Sequence, residues 1–121
     1  MHKVTGIGGF FFRATDPDAL ARWYDENLGI NPVPMEYGQE SWTQQAGETV
    51  FTAMDGVVDQ FGDPSRQWAI NFRVADLDGM VEQLRAAGTE VTVDPEAYPN
   101  GRFASLADPE GNPIQLWEPE G

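Results

Sequence analysis

The stretch FFRATDPDAL, residues 11–20, returns as NFRVADLDGM, residues 71–80. Phe12 falls on Phe72, Arg13 on Arg73, Asp16 on Asp76 and Asp18 on Asp78, all at one offset of 60 in a chain of 121 residues. A repeat half the chain long leaves few architectures open. Two copies are too few for a solenoid. Two independent domains of about 60 residues would each be marginally stable. The halves therefore have to finish one another's core, which predicts a single domain over 1–121 with pseudo-twofold symmetry.

Each half reads as a strand, a helix, then two or three strands. Residues 4–14 alternate: Phe10, Phe12 and Ala14 fall on one face, and Ile7, Gly9, Phe11 and Arg13 on the other. Asp16-Pro17 is an N-cap followed by proline at the first helical position. Leu20, Trp23, Tyr24 and Leu28 then form one apolar stripe, and Gly29 ends it. Strands are predicted at 41–45 and 49–54. After a turn-rich linker the pattern restarts with a strand at 68–74, an N-cap at Asp76, a stripe of Leu77, Met80, Val81 and Leu84, and a stop at Gly88. A strand at 90–94 follows. The segment 98–119 reads as strand, tight turn at DPEGN, strand. In that turn Asp108 is the turn former and Gly111 supplies a positive φ. Module one is thus about 4–56, the linker about 57–67 and module two about 68–119.

The formal net charge is −13, from 20 acidic against 7 basic residues. Such a field repels phosphate backbones and anionic membranes, which argues against both as partners. It keeps a protein soluble, and it also draws cationic ligands. The chain has no cysteine, so disulfides, thiolate zinc sites and thiol nucleophiles are excluded. No apolar run approaches the roughly 20 residues that span a bilayer, and the start is not read as a signal peptide, so the cytoplasm is the expected location.

The phrases FRATDPDALARWYDENLG, INFRVADLDGMVEQLRAAG and RFASLADPEGNPIQLWEP, which cover most of the chain, resemble the vicinal oxygen chelate superfamily: glyoxalase I, bleomycin-resistance proteins and extradiol dioxygenases. The resemblance implies an α+β fold of two tandem βαβββ modules, their curved mixed sheet cupping a small ligand. It also implies a homodimer, with modules often exchanged between chains. In metal-using members a histidine stands seven positions before the Asp that opens each helix, and a glutamate follows the Gly-Asn phrase of the last strand.

Here those positions do not carry the usual donors. Seven before Asp16 is Gly9, and seven before Asp76 is Ala69. The carboxylate position after the GN phrase is held by Gln115, and its first-module counterpart falls near Phe51. Zinc wants nitrogen, sulfur or carboxylate ligands, and iron or manganese a histidine–carboxylate set. The one histidine, His2, reads as a solvated residue near the N-terminus. No metal and no other cofactor is expected.

Alternation then nominates the ligand-binding surface. Gly9, Phe11 and Arg13 share one face; so do Ala69, Asn71 and Arg73; so do Gln115 and Trp117. Trp42 and Phe51 are candidate lining from the outer strands of module one. Aromatic walls with a few amides and arginines suit a small-molecule pocket. Arg13 and Arg73 either clamp an anionic group or pair with the chain's own acids. Gln115 either meets a ligand carbonyl or is a satisfied structural amide. Tyr98, Asn100 and Arg102 are expected at the cavity mouth. No catalytic residue is nominated. The expected function is metal-free binding of a small aromatic or cationic molecule. The alternative is a lyase, isomerase or dioxygenase of the same superfamily with a non-standard metal site.

Overall fold

The computed structural model describes residues 1–34, 36–56, 61–63 and 65–120. Residues 57–60 and 64 of the expected linker lie outside them.

The helices form where their caps place them. Helix α1 spans Pro17–Leu28, with the Asp16 side chain accepting from the Ala19 amide and Gly29 ending the helix at φ 73°. Helix α2 spans Leu77–Ala86, with Asp76 accepting from the Gly79 amide. The two repeated aspartates thus play one role twice, each satisfying an amide that the first helical turn leaves without a partner.

The second half completes one βαβββ unit. Strand β1 (Ile70–Arg73) precedes α2; β2 (Thr92–Val93), β3 (Gly101–Ala107) and β4 (Pro113–Pro119) follow it. Their sheet has the order β1-β4-β3-β2, with β1 parallel to β4 and the other pairs antiparallel. Expected strand 90–94 shrinks to Thr92–Val93. The chain is α+β, with a mixed sheet.

Register sorts the side chains. Ile70 pairs with Ile114 and Phe72 with Leu116, while Ala104 pairs with Leu116 and Leu106 with Ile114. This face packs against the helices. Leu20 and Tyr24 of α1 join Leu77, Val81 and Leu84 of α2 and Ala104, Leu106, Ile114 and Leu116 of the sheet in one core. Leu77, Leu84 and Leu116 are fully buried. Truncating such a leucine to alanine removes about 2–5 kcal/mol.

The strands expected at 4–14, 41–45 and 49–54 are absent among the described residues: these segments have no ladder partner. Periodicity reports which side chains alternate, but a strand exists only when a neighbour answers its N–H and C=O groups. The alternation itself survives. Phe10 and Phe12 approach the Trp68 ring at 4.9 and 5.9 Å, while Phe11 between them is 91% exposed.

Candidate functional site

The sheet face turned away from the helices gathers much of the expected site. In β1, Asn71 pairs in register with Gln115 and Arg73 with Trp117. Ala69, half-buried, precedes them by one residue pair on the same face. On β3, Ser105 lies opposite Gln115 and Phe103 opposite Trp117.

At the centre Asn71 Nδ2 donates to Gln115 Oε1 at 2.7 Å. This cross-strand amide bond fixes two planar polar groups side by side. Beyond it the surface is aromatic. The Phe103 and Trp117 rings are stacked, 6.4 Å between centroids and 6° between planes, and Tyr98 meets Phe103 edge-on at 5.9 Å. Trp117 is buried, and its Nε1 donates to the Asn100 carbonyl at 2.8 Å, which fixes the indole in its plane. The Tyr98 hydroxyl donates to Asp94 at 2.8 Å, and that bond, more than burial, pushes its pKa up.

Arg73 ends this face, but among the described residues it forms no ion pair with an acid. Its Nη1 donates to the Glu48 carbonyl and its Nη2 to the Gln45 carbonyl, both at 2.9 Å. Arg102 corrects a second expectation. Register puts it opposite Glu118, on the helix side, where its Nη2 bonds Asp78 at 3.0 Å. It is therefore not at the mouth of the aromatic face.

The first-half candidates are not gathered with these. Gly9 and Arg13 are exposed, Phe11 and Phe51 are about nine-tenths exposed, and Trp42 is 41% exposed. Two hollows of the surface lie elsewhere, one beside α2 between Asp78 and Val93, the other along α1 between Asp16 and Glu110.

Phe103 was not among the nominated residues. Its signal was present: closing the hairpin at DPEGN places RFAS against QLWE and sets Phe103 across from Trp117.

A divalent metal does not fit the donors here. Gly9 and Ala69 supply none, and Gln115 is a neutral amide already bonded to Asn71. Among the described residues no three His, Cys, Asp or Glu side chains stand together so as to hold a metal ion. The face can stack a planar ring and exchange neutral hydrogen bonds. None of Ala69, Asn71, Phe103, Ser105, Gln115 and Trp117 ionises in the ordinary pH range.

A mixed sheet under two helices, with an aromatic and amide face opposite them, defines a glyoxalase-like α+β protein. Residues 9–117 match the family model described as a glyoxalase-like domain, so the chain belongs to that family, within the vicinal oxygen chelate superfamily. It is 32% identical over 107 residues to CFP32 of Mycobacterium tuberculosis, a candidate glyoxylase, covering 85% of this chain and 40% of that protein. It is 30% identical over 128 residues to the biphenyl-2,3-diol 1,2-dioxygenase of Sphingomonas paucimobilis, covering 97% of this chain and 40% of that one. The chain thus spans about two fifths of the length of these relatives. Among solved structures it is similar to TnmS3, an antibiotic binding protein from Streptomyces sp. CB03234. The TM-score is 0.65 at 25% identity, over 99% of this chain and 100% of that one. Among the described residues no helix is long and apolar enough to cross a membrane.

Proposed function

We propose that this protein binds a small, planar aromatic molecule against the Asn71–Gln115–Trp117 face, without a bound metal. The observation that carries this reading is the composition of that face: two bonded amides beside a fixed Trp117–Phe103 stack, with no metal-gripping set among the described residues. A ring laid on the aromatic end would gain the energy of stacking beyond its buried area. A carbonyl or amine at its edge would meet the amides. The net charge of −13 favours a cationic or neutral ligand over an anionic one. The likeness to TnmS3, an antibiotic binding protein, supports ligand capture as the activity.

A homodimer completes this reading. Val4, Phe11, Val50 and Phe51 are each 72–92% exposed, and the segments that carry them have no ladder partner among the described residues. Strands from a second copy would answer those backbone groups and cover those side chains. Such pairing would also bring Gly9, Phe11, Arg13, Trp42 and Phe51 to the walls of a cleft.

The test is a thermal-shift and tryptophan-fluorescence screen of proflavine, a planar cation, against anthraquinone-2-sulfonate, a planar anion. Elemental analysis and light scattering run alongside. At 100 times its dissociation constant a ligand adds about 2.7 kcal/mol of stability. Proflavine binding by a metal-free dimer is expected. Stoichiometric transition metal with turnover of a hemithioacetal or catechol would overturn the reading.

A further inference from the structure

The Arg73 guanidinium lies on the proposed binding face yet is spent on backbone. Its two Nη atoms reach two carbonyls three residues apart, those of Gln45 and Glu48, each at 2.9 Å. A planar fork of donors suits such a pair, where a single ammonium would serve one carbonyl well and the other poorly. The turn these carbonyls belong to, 45–48, contains Gly47. A Cβ at Gly47 would collide with Arg73 Nη1 and lie 2.7 Å from its Cζ. Glycine at that place and arginine across from it fit as one device.

The turn belongs to the first half of the chain and β1 to the second. Trp42 stands three residues before Gln45 and Phe51 three residues after Glu48. Both are large, exposed aromatics. We propose that Arg73 is a positioning residue: it straps the 45–48 turn to the end of β1 beside Trp117, and so sets where the flanking Trp42 and Phe51 stand in the cleft that pairing with a second copy would close. The proposal rests on the ligand reading above only for what the strap is for. The strap itself is independent of it.

The rival role is an anion clamp, in which the guanidinium would face an acidic ligand directly. Two variants separate them. Arg73→Gln removes both the charge and the fork. Gly47→Ala keeps the charge and forces the guanidinium off the carbonyls. Backbone order parameters of the free protein come first. In the wild type residues 45–48 should be as ordered as β1, at about 0.85, and in both variants they should fall toward about 0.6, with β3 and β4 unchanged. Arg73→Lys should lie between. A turn equally ordered in all four proteins, or already loose in the wild type, overturns the strap. Loss of order spread through β3 and β4 also overturns it, in favour of a general structural role.

The second readout is affinity for proflavine and for anthraquinone-2-sulfonate. The strap predicts that proflavine weakens by about fivefold or more in Arg73→Gln and Gly47→Ala alike, since both free the same wall. Loss of the anionic probe in Arg73→Gln alone supports the clamp and overturns the strap. If the wild type binds neither probe, the ligand reading fails, and the order parameters still decide whether Arg73 holds the turn.

Discussion

The Tyr24 hydroxyl donates to Asp108 Oδ2 at 2.7 Å, joining a helix of the first repeat to the tight turn of the second. Asp108 is itself buried. It also accepts from the Glu110 and Asn112 amides at 2.9 and 3.0 Å and from Asn112 Nδ2 at 2.7 Å. The side chain that shapes the DPEGN turn is therefore the one that anchors α1. Arg66 adds a bond to Asn112 Oδ1 at 2.6 Å. A local motif doubles as the clasp between halves.

Tyr24→Phe is expected to cost about 1–3 kcal/mol. It removes one hydrogen bond to a buried carboxylate while keeping the ring's packing. Asp108→Ala should cost more, because it strips four donors of their acceptor at once. Urea denaturation, with the slope held constant between variants, measures both.

The same pair sets an alkaline limit. Burial first, then the bond to Asp108, pushes the Tyr24 pKa far above that of a free phenol. A tyrosine raised in the folded state contributes stability that is complete below the unfolded pKa, about 10, and drains away as pH rises beyond it. Each such group removes about 1.4 kcal/mol per pH unit in that range. Wild-type stability should therefore fall steeply above about pH 10, and Tyr24→Phe should fall less steeply. Parallel slopes would show that Tyr24 does not carry the effect.

Much of this was legible in the sequence because it is local. Asp-Pro and Asp-Leu announce caps that need only the next three residues, Gly29 ends α1 as expected, and Gly111 takes the positive φ expected of it. Alternation within each strand put Ala69, Asn71 and Arg73 on one face and Gln115 and Trp117 on another; the parallel register that joins Asn71 to Gln115 and Arg73 to Trp117 is seen only in the structure. What stayed hidden depends on distant partners. Nothing in Arg73 itself says that its acceptors are two carbonyls some 25 residues upstream. Nothing in 4–14 says whether a strand will stand beside it.

Glu110 is another such long-range partner, and it yields a sharp expectation. Its carboxylate accepts from the Thr15 amide at 2.6 Å and the Asp16 amide at 3.0 Å, at the entrance to α1. Glu110→Gln keeps one acceptor oxygen and should cost about 0.5–1.5 kcal/mol; Glu110→Ala leaves two amides to solvent and should cost about 1–3 kcal/mol. Amide exchange in α1 should quicken in Glu110→Ala while exchange in α2 keeps its wild-type rate. Equal effects on both helices would mean that Glu110 acts on the whole core rather than on the entrance to α1.

Gly101 stands where β3 begins beside the aromatic end of the face. Its φ is 130°, and a Cβ there would collide with the Glu118 carbonyl and come within 2.8 Å of Trp117 Nε1. Backbone and space thus both demand glycine. Gly101→Ala is expected to cost at least about 2 kcal/mol, through strain at the positive φ and displacement of β4. The displacement has a local reporter. Trp117 Nε1 is held on the Asn100 carbonyl, one residue before the substitution, so its indole proton should move in the NMR spectrum. The Asn71–Gln115 pair, two residues further into the sheet, should keep its amide signals. A protein with wild-type stability and an unmoved Trp117 indole would contradict the tight approach of β3 to β4 at this residue.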